Sequence, residues 1–312
     1  MTSILTHLRI VLIGFCMGAA DLVPGVSGGT VAFVGGIYDR LINGLKSLDV
    51  VTLRLLLKGR LAAVFERVPV VFFLTLGAGL ITAILSLSHP LSALFKSHPV
   101  QLWTFFFGLV LGSILLLAKE TWRWRVVDWI AFIVAAAVTY WLVGLHTMQT
   151  PPTLPLLFLS GAIAICAMIL PGISGSYLLV ILGKYHQVLE ALNHRDFAAL
   201  GAFIAGIIVG ILSFVRVVSW LLRTWRQVTL VALTGIMAGA LRTVWPWKET
   251  IATRINSRGE EVPLTQINIF PEAGASAFVT ALPWLVAGLV AVVLLSRLNP
   301  ADKKVSPTGS AG

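Results

Sequence analysis

The chain has 312 residues, 57% of them apolar and 12% charged, with 28 glycines and 10 tryptophans. Soluble globular proteins carry roughly 25% charged residues, so this composition excludes an ordinary cytosolic enzyme and a disordered chain alike. A net charge of +10 would suit nucleic acid in a soluble protein, but here the basic residues fall between apolar runs, where they face headgroups and set topology.

Residues 68–95, 97–118, 129–183, 197–215 and 273–296 contain no Asp, Glu, Lys or Arg, and residues 10–38 contain one, Asp21. A spanning helix takes roughly 20 apolar residues. These runs predict an all-α polytopic membrane protein, and their lack of alternation excludes barrel strands. In chain order, the first apolar segment (9–38) is broken at Pro24-Gly25-Val26-Ser27-Gly28. Its start resembles a signal peptide, with Arg9, an apolar stretch and Gly18-Ala19-Ala20. An internal copy of the segment argues against that reading, because cleavable leaders are not duplicated. Residues 40–67 place Arg40, Lys46, Arg54, Lys58, Arg60 and Arg67 among leucines, a basic amphipathic stretch suited to the cytoplasmic membrane surface. Unbroken helices are expected over about 70–88, 99–118 and 127–146. A second broken segment (157–185) follows, then helices over about 197–218, 227–245 and 277–297. Lys119, Arg123 and Arg125 with Trp122 and Trp124, and Arg216 and Arg223 with Trp220 and Trp225, read mainly as interfacial anchors. Cys16 and Cys166 lie inside apolar segments without metal-ligand spacing, and no metal or cofactor is expected.

The second broken segment copies the first. At one constant offset Gly14 falls on Gly161, Pro24 on Pro171, Gly25 on Gly172, Ser27 on Ser174, Gly28 on Gly175, Gly36 on Gly183 and Tyr38 on Tyr185. At a second offset Gly79 falls on Gly206, Lys96 on Arg223, Gly108 on Gly235 and Gly112 on Gly239. The chain is therefore two repeats, 1–150 and 151–312, with the extra residues near 50–70 and a Pro151-Pro152…Pro155 linker. Each opens with a Pro-Gly break followed by three helices. Irregular backbone at membrane depth is tolerated only inside protein or beside a cavity. Either the breaks turn re-entrant hairpins, giving three crossings per half and inverted repeats, or the broken helices cross fully and the repeats are parallel. The distribution of Lys and Arg separates these poorly. Hairpins are preferred because inverted repeats with discontinuous helices recur in transporters.

The helices after the breaks begin near Ser27–Thr30 and Ser174–Tyr177. Free N–H groups, the helix dipole, glycines and hydroxyls together favour an anion without any cationic side chain. Asp21 is a carboxylate inside an apolar segment, which suggests a coupling proton or cation or a brace for the loop. Its repeat position is Met168. Tyr38 and Tyr185 are further candidates, and Lys96 with Arg223 would flank opposite faces of an inverted structure.

The motifs Gly18–Thr30 and Ile169–Tyr177, with Gly35–Leu41 and Gly183-Lys184-Tyr185, resemble the PopT-type polyprenyl-phosphate translocases over nearly the whole chain. The resemblance implies a bacterial cytoplasmic-membrane transporter that returns undecaprenyl phosphate, the carrier of cell-envelope glycans, across the bilayer. Its motif positions here are Asp21, Pro24, Gly25, Ser27, Gly28, Gly29, Thr30, Pro171, Gly172, Ser174, Gly175 and Ser176, with Tyr177 adjoining; Tyr38, Lys96, Tyr185, Arg216 and Arg223 are candidate headgroup contacts. The expected partners are the lipid, the bilayer and a coupling proton or cation, with no nucleic acid. Two rivals remain. One is a small-anion channel or exchanger. The other is a phosphatase resembling the BacA-type undecaprenyl-pyrophosphate phosphatases, which carry an Arg after the loop serine and clustered glutamates. Gly28 and Gly175 stand after the serines here, so hydrolysis lacks the charge stabilisation it needs, and no enzyme is expected.

Overall fold

The computed structural model describes residues 2–23, 25–121, 123–145, 147–148, 150–255, 261–271 and 274–298. Pro24 and Trp122 lie outside them. The N-terminal half forms α1 (Thr2–Asp21), α2 (Gly28–Val34), α3 (Tyr38–Lys46), α4 (Val50–Leu57), α5 (Leu61–Arg67), α6 (Val70–Ser97), α7 (Pro99–Glu120) and α8 (Val126–Leu142). The C-terminal half forms α9 (Leu154–Ile169), α10 (Gly175–Ile181), α11 (Tyr185–Asn193), α12 (Phe197–Thr224), α13 (Arg226–Ala240), a 3-10 turn (Leu241–Val244), β1 (Lys248–Ile255), β2 (Glu261–Asn268) and α14 (Ala275–Ser296). Among the described residues, six helices are long and apolar enough to cross a membrane: α1, α6, α7, α12, α13 with the 3-10 turn, and α14. Their outer faces carry large exposed apolar side chains, such as Leu74 (66%), Leu85 (75%) and Val279 (68%). In water such a surface would aggregate; a hydrocarbon solvent accounts for it.

Close packing along glycine stripes assembles the bundle. Gly14 and Gly18 of α1 abut the backbone of Leu76 and Leu80 on α6, and Gly79 abuts Val11 and Phe15 in return. Gly161 meets Phe203 on α12, whose Gly206 and Gly210 meet Phe158 and Ala162 on α9. Gly108 and Gly112 of α7 approach Leu285 and Leu289 on α14, and Gly235 and Gly239 of α13 approach Phe132 and Ala136 on α8. In each case residue numbers rise together, so all four pairs run parallel. Lipid chains are as apolar as leucine, so association in a membrane relies on such backbone proximity. The first helix of each half thus pairs within its half (α1 with α6, α9 with α12). The last two pair across halves (α7 with α14, α8 with α13), which interlocks the two halves of the chain.

In both broken segments the short helix after the break packs against the helix before it. Gly28, at the start of α2, lies beside Asp21, while Gly35, at its end, lies beside Ile13. Gly175, at the start of α10, lies against Ala164 and Met168 of α9. Gly25 (φ +85°) and Gly172 (φ +95°) occupy the left-handed region at the turns, which side chains with a Cβ rarely adopt.

Two features depart from the sequence reading. The basic stretch 40–67 is three helices, of which α3 has a repeat counterpart in α11, so that α4 and α5 are the inserted pair. Asp49 caps α4 through the Thr52 N–H (2.9 Å) and pairs with Arg67 of α5 (2.5 Å). Secondly, an otherwise helical chain carries an antiparallel hairpin of β1 and β2, in register from Lys248↔Asn268 to Ile255↔Glu261, with an irregularity near Ala252.

Candidate functional site

The two Pro-Gly loops meet. The Ser27 hydroxyl donates to the Leu170 carbonyl across the halves (3.2 Å), and the Tyr38 hydroxyl donates to the Ile169 carbonyl (3.3 Å). Gly29 faces the same two carbonyls, and a Cβ there would come within 3.2 Å of the Ile169 oxygen. Ser27, Thr30 and Ser174 are buried, as are Gly25, Gly28, Gly29, Pro171, Gly172 and Gly175. The apolar surround, with Ile13, Val23, Met237 and Val244 at 0% exposure, excludes water and so strengthens each polar contact inside it.

The loops differ in how their donors are used. In the first, the Gly28 N–H donates to the Asp21 carboxylate (2.7 Å) and the Gly29 N–H to the Ser27 hydroxyl oxygen (3.1 Å). The chain's own carboxylate thus sits where an external anion would sit. Thr30, one residue on, is fully buried and its hydroxyl has no hydrogen-bond partner among the described residues. In the second loop Met168 replaces the acid, and Ser174 makes no side-chain cap to α10. Its hydroxyl pairs with that of Ser176 (2.9 Å). The Tyr177 hydroxyl donates to the Val143 carbonyl (2.8 Å).

The 3-10 turn touches the first loop. Thr243 donates to the Gly25 carbonyl (3.2 Å), and Arg242 lies against Gly144. Lys248 donates to the Thr243 carbonyl (2.6 Å) with its ammonium 3.6 Å from the Trp103 ring centroid. Burial pushes its pKa down to about 7. Neither Arg242 nor Thr243 was among the sequence candidates. The available signal was a lone arginine at the end of the uncharged run 227–241, a placement that is functional by default in a membrane protein.

The remaining candidates separate. Tyr38 reaches the opposite loop, whereas its repeat partner Tyr185 stacks edge-on against His186. Arg216 and Arg223 donate to carbonyls of their own helix, at Leu212 and Ser219. Lys96 occupies the last turn of α6. Among the described residues no group of His, Cys, Asp or Glu is arranged to hold a metal ion.

The pattern of the undecaprenyl phosphate translocase-like family matches residues 17–262. The chain is similar to a polyprenyl-phosphate transporter of Vibrio cholerae, with 41% identity over 303 residues that cover 96% of this chain and 98% of that one. It is also similar to a polyprenyl-phosphate transporter of Staphylococcus aureus, with 28% identity over 257 residues, 76% of this chain and 85% of the relative. No solved structure matches.

Proposed function

The chain belongs to the undecaprenyl phosphate translocase-like family, and from that premise we propose that it is a transporter, not an enzyme, that carries undecaprenyl phosphate across the bacterial cytoplasmic membrane. The phosphate head binds where the two Pro-Gly-x-Ser-Gly loops meet. The observation that carries this reading is the pairing of a self-capped loop with an uncapped one. Around the Ser27–Leu170 contact lie a buried hydroxyl, Thr30, without a partner among the described residues, and a helix start without a side-chain cap at Ser174.

A phosphate monoester is strongly hydrated and does not enter hydrocarbon unaided. Buried N–H and hydroxyl donors replace that hydration, and glycines let the backbone come close. The second loop supplies the buried Ser174 hydroxyl, the exposed Ser176 hydroxyl bonded to it and the first N–H groups of α10. The first loop holds its donors on Asp21. Protonation of Asp21 weakens its hold on Gly28 and removes a negative neighbour of the head. Proton uptake and phosphate binding then favour the same state, which couples them.

In the bilayer the two halves act as inverted repeats with re-entrant hairpins at 9–38 and 157–185. The supporting contacts lie at opposite ends of the bundle. At the end where the first hairpin opens, Asp39 pairs with Arg226 (3.0 Å) and Gln227 donates to Asp128 (2.7 Å). Where the second opens, Gly183 packs on Met148 and Lys184 donates to the Pro151 carbonyl (2.5 Å). Rocking about the shared loops would expose the head site to each face in turn, while the polyprenyl tail stays in lipid. The test is reconstitution in liposomes containing undecaprenyl phosphate. The lipid should become inaccessible from the outer leaflet with time, with no release of inorganic phosphate. Phosphate release would favour a hydrolase, and chloride flux without lipid movement would favour an anion channel.

A further inference from the structure

A cavity of about 400 Å³ lies beside the 3-10 turn, walled by Phe107 of α7, Tyr140 of α8, Arg242, Trp245, and Asn268 and Phe270 at the end of the hairpin. We propose that it is a second lipid station, which takes the phosphate-monoester head together with the isoprene units next to it at the bundle end bearing the β-hairpin, before the head passes to the loops. This rests on the transport reading above and adds to it a named cation and a place of entry.

Arg242 supplies the charge. Its guanidinium lies 4.5 Å from the Tyr140 ring centroid and donates to the Tyr140 carbonyl (3.1 Å). Among the described residues it forms no ion pair with a carboxylate. Of its five N–H donors, that carbonyl occupies one. A guanidinium fork matches two phosphate oxygens at once. The backbone beneath it is pinned, because the Asn268 amide donates to the Arg242 carbonyl (2.8 Å).

The rest of the wall is aromatic. Trp245 packs edge-on to Phe107 at 5.8 Å and to Phe270 at 6.0 Å, and its indole N–H is already spent on the Ile269 carbonyl (3.0 Å). A small inorganic anion gains nothing from such walls. A ligand with one anionic end and a branched apolar chain uses both the fork and the rings. Phe270, 79% exposed, forms an open rim through which the remaining chain leaves. The route inward is short in sequence and in space. Thr243, the next residue, bonds Gly25 of the first loop. Gly144, which packs on the guanidinium, follows Val143, whose carbonyl holds Tyr177 beside the second loop.

The test uses the full chain in nanodiscs with three probes: farnesyl phosphate, neutral farnesol and inorganic phosphate. Wild type should bind farnesyl phosphate well above the other two. Arg242→Gln should weaken farnesyl phosphate by at least about tenfold, the ratio expected for one lost hydrogen bond to a charged group, and leave farnesol unchanged. Arg242→Lys should fall between. As an independent reading at the exposed rim, Phe270→Cys in a background with Cys16→Ala and Cys166→Ala should react with maleimide several-fold more slowly when farnesyl phosphate is present, but not with inorganic phosphate. Wild-type affinity in Arg242→Gln, or no protection at residue 270, overturns the station. If Ser174→Ala with Ser176→Ala then abolishes binding, the loop site stands without it. If wild type does not prefer farnesyl phosphate over farnesol, both readings fail.

Discussion

Replacing Asp21 separates two roles that its geometry allows. Its carboxylate accepts the Gly28 N–H at 2.7 Å, a charge-assisted bond to a buried backbone donor. Asp21→Ala leaves that N–H without a partner, at a cost of about 1–3 kcal/mol. Asp21→Asn keeps an acceptor oxygen and loses only the charge, the difference between about 1.5–3 kcal/mol for a charged bond and about 0.5–1.5 kcal/mol for a neutral one. The Asn variant should therefore be about 1 kcal/mol less stable than wild type and more stable than the Ala variant. Thermal unfolding in detergent gives the order. Function should not follow that order. If Asp21 carries the coupling proton, Asn fixes the position in a neutral state. Uphill flux then stops and its pH dependence flattens, while phosphate-lipid binding holds or tightens because a negative neighbour is gone. The assay is flux of fluorescent polyprenyl phosphate in proteoliposomes over a pH series, with binding measured on the same preparations. An Asp21→Asn variant that transports with the wild-type pH profile would refute the coupling role and leave Asp21 as a brace for α2.

Ser27→Ala combined with Ser174→Ala should weaken polyprenyl-phosphate binding by about 1.5–3 kcal/mol for each hydroxyl that donates to the charged head; unchanged affinity in a folded double variant would remove both serines from the site. Gly206→Ala puts a Cβ against the Phe158 carbonyl, so α9 and α12 must separate and stability should fall by about 1–3 kcal/mol. Gly77→Ala in α6 meets nothing within 4 Å and should gain about 0.5–1 kcal/mol; equal thermal midpoints for the two variants would contradict the glycine-stripe account. For Lys248, burial lowers the pKa from 10.5 to about 7. Between those values the unfolded chain binds the extra proton, so this group makes stability rise with pH over that window. Lys248→Met should flatten the rise, read as thermal midpoint against pH.

The membrane class, the duplicated break and five of the six long helices were legible in the sequence; the sixth is α1, and the stretch expected over 127–146 is the shorter α8. Each follows from short-range facts: uninterrupted apolar length and proline and glycine that end a helix where they stand. The glycines aligned by the repeat, Gly14 with Gly161 and Gly108 with Gly235, were visible as a pattern but not as contacts. That α7 packs on α14 while α1 packs on α6 depends on surfaces fitting between segments far apart in the chain, which no local window records. The hairpin has its own signal in the sequence, with Thr250, Ile251, Thr253 and Ile255 before Asn256-Ser257-Arg258-Gly259 and Val262, Thr265 and Ile267 after it; it lies between the apolar runs, where spanning length does not mark it. The inequivalence of the loops is divided in the same way. The sequence by itself placed an acid at 21 and methionine at 168. Only the tertiary structure decided that the acid caps Gly28, that Tyr38 and Ser27 reach Ile169 and Leu170 while Tyr185 turns away, and that Thr243 bonds the first loop with Arg242 beside it. Those bonds join residues up to 218 positions apart, and a hydrogen bond a few ångströms long forms only after packing has brought its partners together.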